Sequence, residues 1–456
     1  WSAHRALPDD SYITLSYARN LAEHGEWALV HGWPANSATS PLNVWLLAAG
    51  TVGSGSPVIA AGLVLAASLA AVGMWTAQLA RVAGLSRWAS YVAVGLLGTS
   101  PLLASTVGLE TYLGVALLVG LVRYGAEGSW LASGVLAGLL VLCRPDYAVM
   151  CAAVAVTLPG LRRRLLPAAG VAVAVAAPWF VASWFLFGSA LPDTFAFKTS
   201  EHDWWGWTLA TGWSYYAGLV PPHLLILAAL PALAGVVLVA ATVHVASPAQ
   251  RVALAFAAAG VFHFVALSVL GVPPYLWYYA PLFGGLALAA VVSLAAVSPC
   301  AVLTLSAVSG AATAAVLALG VPWVEAPMLG NFAHAQDYAA VGRDLPGIVP
   351  PGEPVASPGE VGTIAFHCRC PLVDKFTSRP VAVVQIRKAA DGAGPVMQWL
   401  LAANYAHLPP QPDPVVPTWR LEYREDPLKR HVGDVRWWPA TTSWHKPAQI
   451  VLRLGR

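Results

Sequence analysis

Long runs of apolar residues dominate the chain from about residue 57 to residue 322. A helix needs roughly 20 residues to cross about 30 Å of hydrocarbon, and ten runs approach that length, although some are shorter. They lie at residues 57 to 80, 88 to 104, 110 to 123, 130 to 143, 146 to 159, 164 to 187, 222 to 243, 252 to 270, 276 to 297 and 300 to 322. The pattern predicts a bundle of transmembrane helices.

The segments on either side of this region have a different pattern. In residues 1 to 56, the apolar stretch at 41 to 53 is too short to span a membrane and predicts a juxtamembrane helix. In residues 323 to 456, prolines, charged residues and alternating strands replace the Ala-Leu runs. The chain is therefore predicted to be mainly α, a polytopic transmembrane helical bundle (residues 57 to 322) with a first loop and a C-terminal soluble α/β domain. Because it opens directly at such a loop, we expect a further transmembrane helix to precede Trp1.

Composition supports a membrane protein. Of the 456 residues, 57% are hydrophobic and only 10% are charged, which is more apolar surface than a soluble core could hide. The net charge of +3 is small and the few charges are unevenly placed, so nothing indicates binding to nucleic acid. Abundant Ala, Gly, Val and Trp beside scarce Lys indicate a GC-rich bacterial genome.

The arginines of the short loops predict the orientation of the bundle. If the first loop is outside, the cytoplasmic loops hold Arg81, Arg87, Arg123, Arg162, Arg163, Arg164 and Arg251. Beyond the first loop, the short external loops hold only Arg144 and Lys198. Since Lys and Arg concentrate in cytoplasmic loops, we expect a multi-pass protein of the bacterial plasma membrane whose first loop and C-terminal domain are extracytoplasmic.

Two adjacent acids, Asp9 and Asp10, begin the segment DDSYITLSYARNL in the first loop. Neighbouring carboxylates repel each other unless a cation, a proton or a substrate hydroxyl separates them, and such a carboxylate can act as a general base. The alternative is that the pair caps the following helix. We expect Asp10 to cap that helix and Asp9 to point into the site.

Further charged residues fall on the same predicted side of the membrane. Glu110 and Asp146 lie at helix ends, where an ionisable group needs a partner or a watery cavity. Arg144 and Lys198 oppose the charge rule, which phosphate binding at the membrane surface would explain. The alternatives are that Arg144 pairs with Glu110 or Asp146 and that Lys198 extends to the lipid headgroups.

Aromatic residues and cysteines leave further alternatives open. Trp204, Trp205 and Trp207 fit an aromatic belt at the interface better than a platform for sugar stacking. Cys368 and Cys370, in AFHCRCPLVD, could be free thiols, a disulfide or metal ligands. One short cluster lacks the second ligand pair of a structural zinc site, and of the other two alternatives we favour free thiols.

The order of these motifs resembles the GT-C membrane glycosyltransferases, and most closely the actinobacterial arabinofuranosyltransferases that use decaprenyl-phosphoryl arabinofuranose. The resemblance rests on DDSYI, TSPL, GLE, RPD and LPDT followed by Lys198. It implies that Asp9 or Asp10 is catalytic. It also implies that six further residues bind substrate: Thr39, Ser40, Glu110, Arg144, Asp146 and Lys198. Of these, the basic Arg144 and Lys198 would lie beside the donor phosphate.

The chain also departs from the family pattern. Its soluble domain is short, and LPDT has Asp where Asn is expected, so the donor sugar and linkage stay open. The segment 356 to 376 is similar to the family's external domain and predicts two β-strands around a turn, ending near Asp374.

The sequence therefore predicts a glycosyltransferase that moves a sugar, by resemblance arabinofuranose, from a polyprenyl-phosphate donor to a glycan or glycolipid acceptor of the cell envelope. No cofactor is assigned, and a divalent cation stays an alternative. The competing classes are a lipid or solute transporter or flippase and an assembly scaffold. A transporter finds little support, because His263 is the main titratable group near the middle of a predicted span.

Overall fold

A computed structural model describes residues 2–200, 204–245, 247–298, 323–328, 331–426, 430–442 and 445–455, with Cys300 and scattered positions between 303 and 321. The last predicted transmembrane helix, residues 300 to 322, falls largely outside the described residues.

The chain up to residue 298 is helical. Its helices are α1 (Asp9–His24), α2 (Pro41–Ser54), α3 (Pro57–Ala83), α4 (Ala89–Thr99), α5 (Pro101–Ala104), α6 (Thr111–Glu127), α7 (Trp130–Cys143), α8 (Ala148–Thr157), α9 (Pro159–Arg162), α10 (Leu165–Phe187), α11 (Thr194–Ser200), α12 (Gly212–Leu219), α13 (Pro222–Thr242), α14 (Pro248–Val269) and α15 (Ala280–Val297). Short 3-10 turns at Pro145–Tyr147 and Leu276–Tyr278 precede α8 and α15.

Five described helices are long and apolar enough to cross a membrane: α3, α10, α13, α14, and α15 with its preceding turn. Shorter apolar helices occupy other predicted spans, and the run at 88 to 104 is broken because Ser100 caps a new helix that starts at Pro101. The α10 span is 11% buried and the α15 span 72% buried, so α15 lies inside the bundle and α10 at its lipid-facing edge. The predicted polytopic helical bundle is confirmed.

Small residues allow the membrane helices to approach closely. A Cβ atom at Gly134 of α7 would lie 2.7 Å from the Val171 side chain of α10, and one at Gly138 would lie 2.6 Å from Val175. Glycines four residues apart let two helix backbones come together in lipid, and α7 therefore packs tightly along α10.

The C-terminal region combines helices with a five-stranded sheet. Its elements are α16 (Ala335–Asp344), a 3-10 turn (Leu345–Gly347), β1 (Val355–Ala356), α17 (Gly362–Cys368), β2 (Leu372–Val373), α18 (Arg379–Asp391), α19 (Pro395–Asn404), β3 (Trp419–Arg424), β4 (Asp434–Thr441) and β5 (Pro447–Leu454). The strand order is β2-β1-β3-β5-β4, with β1 parallel to β2 and β3 and the other pairs antiparallel. The predicted α/β character is confirmed.

One prediction for this region was wrong. Residues 356 to 376 form the helix α17 between two strands of two residues each, and not a pair of strands around a turn. Ile364, Ala365 and Cys368 are buried together, a spacing that one face of a helix provides and an alternating strand does not.

The first loop and the C-terminal region share one hydrophobic core. Tyr17 of α1 and Val44 of α2 belong to the same cluster as Val355 and Ile364. The Arg19 guanidinium donates a hydrogen bond of 2.7 Å to the Phe366 carbonyl. The α17 helix is therefore held against α1.

Candidate functional site

A cavity of about 580 Å³ lies where α1, the loops of the bundle and the C-terminal region meet. Asp9, Asp10 and Lys198 contribute to its wall, together with the aromatic residues Tyr275 and Trp277. We call it the large cavity. Its volume lies within the range of about 300–1,000 Å³ that is usual for small-molecule sites.

A small cavity of about 30 Å³ shares part of this wall, including Asp10 and Lys198. Thr39, Glu110 and Arg144 also line it. The structure thus brings five of the eight predicted site residues around one space, although they come from five separate segments of the chain.

Asp9 and Asp10 occupy different environments. The two Asp9 carboxylate oxygens accept hydrogen bonds of 2.8 Å from the Gly362 amide and 2.7 Å from the Thr363 amide. These amides begin α17, and any side chain at Gly362 would collide with the Asp9 carbonyl. Burial raises the pKa of Asp9, against the opposing effect of these two hydrogen bonds. Asp9 is therefore the cap of α17.

Asp10 does not cap α1, whose N-cap residue is Pro8 and which has no side-chain cap. The expectation that Asp10 is the cap was therefore wrong: the cap that forms is Asp9, and it belongs to a helix more than 350 residues further along the chain. Asp9 also lines the large cavity, as expected. Asp10 instead lines both cavities.

The pKa of Asp10 is raised from 3.8 to about 6, chiefly by burial. The Lys198 ammonium opposes this shift, and the nearby carboxylates of Asp9 and Glu110 add to it. A carboxyl group with such a pKa is ionised at neutral pH and is basic enough to accept a proton from a substrate.

Lys198 of α11 lies over a group of aromatic rings. Its Nζ atom is 5.1 Å from the ring centre of Tyr275, 5.5 Å from Trp277 and 5.4 Å from Tyr278, distances at which a cation is attracted to a ring face. No ion pair with a carboxylate forms here within the described part of the chain. The side chain lines both cavities.

Arg144 has two carboxylate partners. Its Nη1 atom donates to Glu110 at 2.8 Å, and Nε and Nη2 donate to the two oxygens of Asp146 at 2.9 and 3.1 Å. His263 of α14 lies 2.8 Å from Asp146. We call these four residues the ion-pair cluster. These ion pairs agree with the alternative interpretation, in which Arg144 pairs with Glu110 or Asp146.

The other predicted residues lie less directly at the site. Neither cavity is lined by Asp146 or by Ser40, a buried residue at the start of α2. Trp204 and Trp205 line the large cavity whereas Trp207 does not. Two members of the tryptophan group therefore reach the site, and the interfacial belt stays a prediction.

Sequence reasoning missed Glu360 in the wall of the large cavity. Its Oε1 atom accepts a hydrogen bond of 3.0 Å from the Phe332 amide, and burial, reinforced by the charge of Asp9, raises its pKa well above the ordinary value. Glu360 lies in a loop with no periodic pattern, so no signal in the sequence could have identified it.

Two features of the C-terminal region concern cysteine and metal chemistry. Cys368 and Cys370 form a disulfide, which corrects the expectation of free thiols. Within the described residues, Glu325, His334 and His445 form a cluster of types that bind metal ions.

The fold has known counterparts. The chain has a GT-C-like fold, with similarity to solved structures that extends over nearly its whole length. The crystal structure of ArnT from Cupriavidus metallidurans bound to undecaprenyl phosphate matches 99% of this chain and 95% of that chain, with a TM-score of 0.59 and 14% identity. An oligosaccharyltransferase from Archaeoglobus fulgidus matches 92% of this chain and 66% of its own, with a TM-score of 0.52 and 13% identity.

The arabinofuranosyltransferase AftD from Mycobacteria matches 99% of this chain but only 38% of its own, with a TM-score of 0.51 and 14% identity. At such identities the likeness establishes the fold. No family model and no curated protein matches the sequence.

Proposed function

We propose that this chain is a membrane glycosyltransferase that transfers a sugar from a polyprenyl-phosphate donor to a glycan acceptor of the cell envelope. The observation that carries the proposal is the presence of Asp10 and Lys198, an acid and a base, in the wall of the same two cavities. The GT-C-like fold supports it, as does the undecaprenyl phosphate bound to ArnT.

In this proposal the lipid donor enters between helices and its phosphate lies beside Lys198. An ammonium held over aromatic rings, with no carboxylate ion pair among the described residues, keeps its charge for an anionic ligand. Arg144 adds positive charge from the wall of the small cavity, but its ion pairs fix its position and reduce its net effect. Lys198 is therefore the principal phosphate-binding residue.

Asp10 acts as the general base. The hydroxyl of the acceptor gives its proton to the Asp10 carboxylate while its oxygen bonds to the anomeric carbon of the donor. The bond from that carbon to the phosphate oxygen breaks, and polyprenyl phosphate leaves with the electron pair. Lys198 stabilises the charge that develops on the leaving phosphate.

The large cavity provides room for the acceptor. Trp204, Tyr275 and Trp277 line it, and their faces suit the apolar C–H faces of sugar rings. For the donor sugar we propose arabinofuranose, because the motifs around Asp10, Thr39 and Lys198 resemble those of arabinofuranosyltransferases.

A transfer assay tests the proposal. The purified protein is incubated with a panel of polyprenyl-phosphate sugars, including decaprenyl-phosphoryl arabinofuranose, and with oligosaccharide acceptors. We expect an acceptor heavier by one sugar and stoichiometric release of polyprenyl phosphate. Movement of lipid across liposomes without any product would instead favour a flippase.

We further propose that the cavities face the extracytoplasmic side of a bacterial plasma membrane, as the loop arginines predict. A cysteine in place of the exposed Asp391, in a Cys300→Ser background, should react with an impermeant reagent in intact cells. Protection that disappears on lysis would contradict this orientation.

A further inference from the structure

Three side chains that can bind a transition metal converge beside the large cavity. Glu325 follows the membrane bundle, His334 directly precedes α16, and His445 lies in the turn between β4 and β5. One ligand atom from each lies within 4.8 Å of the other two. Glu325 and His445 also line the cavity.

The two distances from Glu325 to the histidines fit a shared metal ion better than direct hydrogen bonds. Glu325 Oε2 is 3.4 Å from His334 Nε2, and Oε1 is 3.5 Å from His445 Nε2. Charge-assisted hydrogen bonds are about 2.7–2.9 Å long, whereas tetrahedral Zn²⁺ with bonds of about 2.0–2.1 Å holds its ligand atoms roughly 3.4 Å apart. The buried Nε2 atom of His334 forms no well-aligned hydrogen bond within the described residues.

The backbone holds the two histidines in place. The His334 amide donates to the Thr441 carbonyl at 3.1 Å, and the Thr441 amide donates to Asp337 of α16 at 2.9 Å. The His445 amide donates to the Thr442 carbonyl at 2.8 Å. The start of α16 and the turn after β4 are thus fixed to each other, so the backbone already holds the two histidines near the same point.

We propose that Glu325, His334 and His445 bind one divalent transition-metal ion, with Zn²⁺ the ion that two imidazoles and a carboxylate favour. Three protein ligands leave a coordination position open, and the exposure of Glu325 and His445 to the large cavity directs it there. The ion connects the segment after the bundle with the C-terminal region, and its open position can take an oxygen atom of a bound molecule.

The test is direct metal binding by the full chain. The protein is purified in detergent without a polyhistidine tag, stripped with a chelator and titrated with Zn²⁺ in competition with a chromophoric chelator. We expect one Zn²⁺ per chain with a micromolar or tighter Kd. Losing one of three ligands should weaken binding at least about tenfold in Glu325→Gln and in His445→Asn.

The choice of variants keeps the test decisive. His445 is largely exposed in a turn, so His445→Asn should fold, and equal melting temperatures of the metal-free proteins would verify this. The exposed His431 near the other end of β4 gives a matched control, and His431→Asn should bind Zn²⁺ like the wild type. Absent binding, or equal affinity in all variants, would overturn the proposal and leave Glu325, His334 and His445 as neighbouring side chains that bind no metal.

Metal binding and sugar transfer are measured separately. The titration needs neither donor nor acceptor. If the chain binds Zn²⁺ without transferring a sugar, the metal-site proposal therefore stands although the proposed function fails. If the chain transfers a sugar without binding Zn²⁺, only the proposed metal site is contradicted.

Discussion

The ion-pair cluster and the wall formed by Asp10 and Lys198 both bring carboxylate and cationic side chains together near the small cavity, yet their charges find different partners. In the cluster, Arg144 divides its donors between Glu110 and Asp146. In the wall, Lys198 lies on aromatic rings and Asp10 has a raised pKa in a cavity.

The difference indicates which charges serve the fold and which serve a ligand. A buried guanidinium with two carboxylates is already neutralised, and removing it leaves acids without compensation. An ammonium over rings, without an ion pair among the described residues, can still attract an anion, and a carboxyl group with a pKa near 6 can exchange a proton near neutral pH. We therefore expect mutations in the two groups to affect different measurements.

The largest expected effect is on catalysis at Asp10. Asp10→Asn keeps the size of the side chain but removes the base, so kcat/KM for sugar transfer should fall about 10²- to 10⁴-fold. The wild-type rate should also fall about tenfold per pH unit below pH 6, since protonation disables the base as the pH drops through the pKa of about 6. The melting temperature of the variant should stay near that of the wild type.

An Asp10→Asn variant with full activity would place the base elsewhere. Glu360, in the wall of the large cavity, is the next carboxyl group to examine, and Glu360→Gln provides that comparison.

Arg144→Gln should mainly affect stability. It leaves Glu110 and Asp146 without their cation, at a cost of about 3–5 kcal/mol in the free energy of unfolding. Thermal unfolding in detergent measures this, with Arg251→Gln as control because Arg251 is exposed at the start of α14. A stable Arg144→Gln protein that binds the donor poorly would instead make Arg144 a phosphate ligand.

Lys198→Gln should weaken donor binding. Losing one charged contact to phosphate costs about 1.5–3 kcal/mol, or roughly a 10- to 100-fold rise in the Kd for undecaprenyl phosphate. Lys388→Gln, at an exposed position of α18, is the matched control and should bind like the wild type. Equal Kd values in all three proteins would remove Lys198 from the phosphate site.

The sequence could predict the membrane bundle because apolar runs near the thickness of a bilayer admit few other structures. It also placed Asp10, Arg144 and Lys198 on one side, since loop order and charge decide sidedness. It could not predict partners that depend on tertiary contact. The segment from residue 362 to 368 is too short and too apolar for its periodicity to distinguish a helix from a strand. The sequence therefore could not show that Asp9 caps a helix there.

The smallest expected effect concerns Asp9, the direct neighbour of Asp10. Asn at this position has one acceptor oxygen, which can serve only one of the two amides of Gly362 and Thr363. Its NH₂ group then faces the other amide, which loses its acceptor. Asn is nearly as good a helix cap as Asp, so Asp9→Asn should cost only about 1 kcal/mol of stability, near the lower limit for an unsatisfied buried donor.

Activity should then separate the two neighbours. Asp9 acts on α17 and not on the acceptor, so Asp9→Asn should keep kcat within a few-fold of the wild type and lower the melting temperature slightly, the reverse of Asp10→Asn. Asp9→Ala, which leaves both amides without an acceptor, should lower the melting temperature further. If Asp9→Asn were inactive but fully stable, the carboxylate that caps α17 would also have to act on the substrate, and the contrast between the two acids would fail.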